Sequence, residues 1–222
     1  MKITWLGQAG LLFETDETTI LVDPYFSDSA SAIAVPRKMP VSPAVWEIHP
    51  DLLLCTHAHI DHYDPETIPH FVNADSELTV LSPVSVWEKI RAAGGKNNFV
   101  LVSPGVVWTH RDVTVTTVGA VHSDPHAVGF LISHNGKTYY VTGDTLFCPT
   151  LLRQIPSNVD VVFLPINGKG NNMNATDAAK FCDYLGAKLA VPIHFGMMDD
   201  VDPSAFIWKN SLIPTIYKEM TL

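Results

Sequence analysis

Apolar and polar positions alternate from the start of the chain. Residues 2–7, Lys2-Ile3-Thr4-Trp5-Leu6-Gly7, read as a strand, residues 10–15 as the next, and residues 18–22 as a third after a turn at Asp16-Glu17. This is the pattern of an antiparallel meander. It ends at Asp23-Pro24, where proline stops the ladder. Residues 25–50 lose periodicity and are punctuated by Pro36, Pro40, Pro43 and Pro50, which predicts a long surface loop. Tyr25, Phe26 and Trp46 there either line a pocket or cover the edge of the core. Leu52-Leu53-Leu54-Cys55 is wholly apolar and too short for a helix, so it reads as a buried strand.

Asp64-Pro65-Glu66 carries the acidic cap and first-turn proline of a helix start. Residues 78–81 predict a strand. Residues 83–93 predict a helix, with Val86, Ile90 and Ala93 at helical spacing and Gly94-Gly95 as the stop, and residues 99–102 a short strand. A second series of strands follows at 106–109, 113–118, 128–133 and 137–142, the last two joined by Asn135-Gly136, a type I′ hairpin signal. Residues 146–154 read as a helix, 159–164 as a buried strand, 176–185 as a helix stopped by Gly186, 188–192 as a strand and 203–209 as a final short helix. Strands followed by strand–helix alternation thus occur twice, and no glycine- or serine-rich linker divides the halves. The order predicts one α/β domain over residues 1–222, two sheets packed on each other with helices outside.

Composition narrows the function. Hydrophobic residues make up 46% of the 222, enough for a substantial core. The net charge is −9 with 14 Lys plus Arg, so the basic footprint of a nucleic-acid-binding protein is missing and no nucleic-acid partner is expected. An anionic ligand stays compatible with that charge, because bound divalent cations invert the local field. Cys55, Cys148 and Cys182 lie far apart without C-x-x-C spacing, and neither an apolar leader nor a run of about 18 apolar residues appears. These features predict reduced thiols in a cytoplasmic protein with no membrane partner. Cys55 is expected to be inert core.

The densest chemistry is His57-Ala58-His59-Ile60-Asp61-His62, where the apolar strand runs out into a loop. Imidazole and carboxylate are ligands for borderline-soft divalent metals. Buried together without a cation, these groups would each need another partner or cost free energy. Three more such residues sit at strand ends: His122 after residues 113–121, Asp144 after 139–143 and His194 after 189–193. Strand ends of an α/β sheet gather at one edge, where ligands bind. Seven ligands suit two metal ions sharing one carboxylate and a water. Such a water loses its proton near neutral pH, since one zinc already lowers a water pKa to about 7.

The H-x-H-x-D-H segment 57–62, with Asp23, His122, Asp144 and His194 following the family's motif order, resembles the metallo-β-lactamase superfamily over almost the whole chain. The resemblance implies a four-layer αββα sandwich. It implies His57, His59 and His122 on a first metal, Asp61, His62 and His194 on a second, and Asp144 bridging both. Asp23 would orient the histidine loop through hydrogen bonds, and Asp61 would orient the hydroxide or accept a proton. Two divalent ions per chain are implied, zinc first and manganese as the alternative. Residues 124–130, 139–144, 162–168, 170–174 and 191–196 resemble the branch that contains the ascorbate-6-phosphate lactonase, which opens a sugar-acid lactone and often uses manganese, although the loop between Gly168 and Met173 looks shorter here. The implied function is metal-dependent hydrolysis of a small ester, lactone or phosphoester, with a nuclease or phosphodiesterase of the same superfamily as the alternative. The expected partner is a small substrate molecule, neutral or anionic, with a second copy of the chain, in a homo-oligomer, as the alternative partner. Asn167 and Lys169, beside Asn171 in a glycine-rich turn, and His126 are candidate substrate-binding residues.

Overall fold

The computed structural model describes residues 1–157 and 159–222, which form two six-stranded sheets. The first holds β1 (Lys2–Gly7), β2 (Gly10–Glu14), β3 (Thr19–Val22), β4 (Leu52–Leu54), β5 (Thr79–Ser82) and β6 (Asn98–Leu101). The second holds β7 (Val107–His110), β8 (Val113–Gly119), β9 (Val128–His134), β10 (Lys137–Val141), β11 (Val161–Pro165) and β12 (Leu189–Ile193). In both sheets spatial order follows chain order, and each begins antiparallel and finishes parallel. Tight turns suffice for the antiparallel pairs. Asn135 and Gly136 have φ of 48° and 75°, the positive values a type I′ turn requires. Parallel neighbours need crossovers, and four of them carry α1 (Ile68–Phe71), α2 (Val84–Ile90), α3 (Pro149–Leu152) and α4 (Ala175–Leu185).

Strand β4 explains why the apolar run is continuous. Leu52 and Leu54 face the core between the sheets, with Phe13, Val115, Phe130 and Phe163. Leu53 and the following Cys55 face outward into a second core with Ile68, Phe71, Val86 and Ile90. Both faces are covered, so the strand alternates between two apolar environments rather than between core and water. On the other sheet, Phe181, Cys182 and Leu185 of α4 extend the main core outward. Sheets inside and helices outside give the αββα sandwich. Among the described residues no helix is long and apolar enough to cross a membrane.

Three predicted helices come out shorter, each for a local reason. The Asp64-Pro65-Glu66 start yields α1 only from Ile68: the buried Asp64 carboxylate accepts the Glu66 N–H (3.0 Å) as a cap does, but residues 65–67 form only a turn, and the same carboxylate also accepts the hydroxyls of Ser27, Ser29 and Thr67. The 146–154 helix shrinks to α3, opened by Pro149, whose ring fits only a first turn. Residues 203–209 form just a 3₁₀ turn at Pro203–Ala205, and the chain then runs along both sheets. It bonds β12 through Ala190 N–H to Asn210 O (2.9 Å) and Leu212 N–H to Ala190 O (2.9 Å). It bonds β1 through Tyr217 N–H to Trp5 O (2.8 Å) and Met220 N–H to Ile3 O (2.8 Å). The tail thereby covers two sheet edges that would otherwise be open to pairing. In the 25–50 loop, Tyr25 and Phe26 are buried, and Phe26 packs edge-on to Trp46 and Phe71 with centroids 5.7 and 6.0 Å away. These aromatics cover the core edge.

Candidate metal centre

Strands β3, β4, β8, β10 and β12 all run out at one edge of the sandwich, and there they deliver Asp23, Thr56-His57, His122, Asp144 and His194. The backbone at this edge is held in rare conformations. Gln8, Asp23 and His194 have φ of 47°, 41° and 59°, left-handed values that cost a non-glycine residue roughly 1–3 kcal/mol each. Gly143, at φ 61°, precedes Asp144, and a Cβ there would lie 2.9 Å from both Thr56 Cβ and Val128 O. Only glycine lets the end of β10 pack this closely against Thr56.

His57, His59, His122 and Asp144 bring one ligand atom each within 4.8 Å of one another, and Asp61, His62 and His194 form a second such group. In the first, His59 Nδ1 lies 3.0 Å from His57 Nε2 and 3.1 Å from His122 Nε2. In the second, His194 Nε2 is 3.2 Å from Asp61 Oδ2. Asp144 stands between the groups: its Oδ1 is 3.3 Å from both His62 Nε2 and His194 Nε2, and its Oδ2 is 4.0 Å from His122 Nε2.

Asp23 holds the loop from behind. Its Oδ1 accepts the Thr56 N–H (2.8 Å), and its Oδ2 accepts the Thr56 hydroxyl (2.6 Å) and His62 Nδ1–H (2.7 Å). His62 Nε2 is thereby turned to the centre, buried, and without a hydrogen-bond partner despite its nearness to Asp144. Asp124 holds the same loop from another side, accepting Ala58 N–H (3.1 Å) and the Ser85 hydroxyl (2.7 Å).

Protonation in this cluster is in conflict. Burial pushes the His57 imidazolium well below its ordinary pKa, and neighbouring His62 adds to that. Burial would also lower His62 and His194, but Asp144 and Asp61 outweigh it and hold His62 well up and His194 at about 10. Burial would raise Asp61 and Asp144, but His62 and His194 keep both carboxyls well below the usual range. Three imidazole nitrogens converging at 3.0–3.1 Å cannot all be satisfied by shared protons, and His62 Nε2 has no partner at all. A divalent cation accepts all these lone pairs and neutralises both carboxylates, so the residues present fit metal ions.

Two residues here escaped sequence reasoning. Gln8, in the turn between β1 and β2, donates from Nε2 to Asp61 Oδ2 (2.8 Å), and its main-chain carbonyl accepts the N–H of His194 (2.9 Å) and Trp5 Nε1–H (2.9 Å). Asn172 donates from Nδ2 to Asp144 Oδ2 (2.8 Å). The signal at Gln8 was a single amide inside the apolar stretch Trp5 to Leu12; Asn172 lies in the 170–174 stretch that carries the lactonase-branch resemblance, which gave it no role of its own.

A cavity of about 510 Å³ opens over the centre and is lined by Gln8, His59, Asp61, Asp144 and His194. Asn167 and Lys169 line it as well. His126 does not. Asp124 Oδ1 accepts the His126 N–H (2.9 Å) and turns its loop away, so this imidazole lines a separate depression with Val84, Leu101 and Pro104. Cys55 is fully buried, and burial together with Asp23 pushes its thiol well up, away from reactivity.

Comparison with known proteins gives concordant results. A family model described as "Beta-lactamase superfamily domain" matches residues 2–194. A UPF0173 metal-dependent hydrolase of Geobacillus thermodenitrificans is 31% identical, the match covering 96% of this chain and 93% of the relative. Among solved structures, Igni18, a metallo hydrolase of Ignicoccus hospitalis, superposes with a TM-score of 0.78 at 20% identity, over 99% of this chain and 97% of the other. An isothiocyanate hydrolase from Delia radicum gut bacteria superposes with a TM-score of 0.78 at 17% identity, over 100% and 99%. The two structural likenesses concern the fold.

Proposed function

The chain belongs to the beta-lactamase superfamily domain family, and on that premise we propose that it is a hydrolase working with two divalent cations, zinc or manganese, on a small ester or lactone. Its relatives' description as metal-dependent hydrolases supports the class. The observation that carries the two-ion reading is Asp144, with one oxygen toward His62 and His194 and the other toward His122.

His57, His59 and His122 would hold one ion, Asp61, His62 and His194 the other, and Asp144 both. When bound, the ions lower the pKa of a shared water and polarise the oxygen of the attacked carbonyl. Asp61, in the cavity floor, orients the attacking water and takes up its proton for return to the leaving oxygen. Gln8 Nε2–H restricts Asp61 to one orientation, and Asn172 does the same for Asp144. Asp23 keeps His62 in the tautomer whose Nε2 is free for an ion. The net charge of −9 favours small substrates over nucleic acid.

The test is metal analysis of gently purified protein together with a panel of lactones, esters and phosphodiesters assayed with Zn²⁺ and Mn²⁺. About two ions per chain and metal-dependent turnover of esters or lactones are expected. Less than one ion per chain, or turnover that survives chelation, contradicts the proposal.

A further inference from the structure

The wall of the cavity is chemically unlike its floor. Residues 30–36 present only apolar side chains to it, Ile33 and Val35 foremost, and Ile60 and Met198 continue the same surface. Ile33 is 63% exposed, so its side chain is free to meet a ligand in the cavity. The segment is held in place at both ends. Before it, Ser27 and Ser29 donate their hydroxyls to the buried Asp64 (2.9 Å each to Oδ1). After it, Arg37 donates to Tyr25 O (2.7 Å) and Met39 O (2.6 Å), and its own N–H reaches Asp28 Oδ1 (2.6 Å). Under it lies a small core of Tyr25, Ala30 and Met197, against which Val35, Ile60 and Met198 pack. An apolar surface is therefore built, anchored and aimed into the cavity over Asp61 and Asp144.

Resting on the hydrolase reading above, we propose that the substrate is a carboxylic ester or lactone bearing a short alkyl arm, the arm lying on Ile33, Val35, Ile60 and Met198 while the carbonyl sits over the metal centre. Hydrolysis then breaks the acyl C–O bond and forms a new one to the oxygen of water. One water proton goes to the leaving oxygen, the acid product releases its own, and no oxidant or reductant enters. A polyhydroxylated lactone would give up hydrogen bonds to water where it meets Ile33, Val35, Ile60 and Met198, and the cavity's polar side chains, Lys38, Asn167, Lys169 and Asp199, would have to replace them from outside this apolar strip. Each methylene laid on the wall is removed from water, worth about fourfold in kcat/KM.

The test uses metal-loaded protein and two series: p-nitrophenyl esters from acetate to octanoate, with gluconolactone against γ-nonalactone, and binding of butyrate, hexanoate and octanoate by calorimetry. The expected results are a rise in kcat/KM of about fourfold per methylene over the first few carbons, γ-nonalactone preferred to gluconolactone, and a parallel rise in alkanoate affinity. Ile33→Asn and Val35→Thr should flatten both slopes while metal content stays at the wild-type value. Turnover without a chain-length slope, or a preference for gluconolactone, overturns this inference and leaves the hydrolase reading standing. Alkanoate binding with the slope but no turnover of any ester or lactone keeps the alkyl wall and overturns the hydrolase reading. A change of oligomeric state in Ile33→Asn with unaltered slopes means the surface contacts a second copy of the chain and overturns the inference.

Discussion

The two ligand groups differ in what stands behind their histidines. In the group of His57, His59 and His122, the nitrogens turned away from the centre meet neutral oxygens: the Thr56 hydroxyl at 3.0 Å, the Ser123 hydroxyl at 3.4 Å and the Asn171 carbonyl at 3.3 Å. In the group of Asp61, His62 and His194, His62 Nδ1–H donates to the Asp23 carboxylate at 2.7 Å, and the Gln8 amide secures Asp61 at 2.8 Å. Burial does not separate the groups: His57, His62 and His194 are buried, and His59, Asp61 and His122 are half-buried. A carboxylate behind an imidazole makes it a more basic and more rigid ligand than a hydroxyl or a carbonyl does. The second group is thus the pre-ordered half of the centre, while both halves reach the cavity, the first through His59 and the second through Asp61 and His194.

Four substitutions break or sharpen this contrast. The largest effect belongs to Asp144→Ala, which removes the side chain standing between His122 on one side and His62 and His194 on the other. Hydrolysis should fall by more than the roughly 10–100-fold typical of losing a partner behind a ligand. Metal content should drop below that of wild type, and circular dichroism should report the same sandwich. Full activity in this variant would mean Asp144 does not link the groups. Next is Asp23→Ala, which should weaken binding of the ion at His62 by about 10–100-fold and leave the other nearly unchanged, read as one displaced step in a two-step metal titration. Equal weakening of both steps would erase the distinction.

Gln8→Met keeps the bulk of the side chain and deletes its donor to Asp61. A hydrogen bond to a charged group is worth about 1.5–3 kcal/mol, so a loss of at least tenfold is expected in the same titration step, partly restored in Gln8→Asn. An unchanged second step would reduce Gln8 to a turn residue. The smallest effect is expected for His126→Ala. This imidazole lies outside the cavity, and kcat/KM should stay within about twofold, as for surface changes in general.

Legibility differed along the same lines. The histidine loop could be read because four metal-capable groups crowd into six positions after an apolar strand, and β4 buries both its faces as that run required. His122, Asp144 and His194 could be read because each ends a strand, and strand ends converge. Gln8 could not be read as a partner of Asp61, because their contact depends on how the β1–β2 turn packs against a loop 53 residues away. Asp64 has the local pattern of a helix cap and does accept the Glu66 N–H, but its further bonds to three hydroxyls, two of them from the 25–50 loop, depend on tertiary packing that the local pattern does not carry. His126 shared a loop with Asp124, and periodicity carries no information on which way that loop turns. The tail along β1 and β12 has no periodic pattern, because its backbone hydrogen bonds determine its course.

Chelation bears on the whole centre. Removing the ions should abolish turnover and lower the unfolding free energy by about 3 kcal/mol at free metal near a hundred times Kd, both recovered on adding Zn²⁺. The most direct test of the central claim is an anomalous-scattering map of zinc-loaded crystals. Two peaks about 3.5–4 Å apart are expected, one among His57, His59 and His122, the other among Asp61, His62 and His194, with Asp144 touching both. A single peak, or two peaks that do not share Asp144, would contradict it.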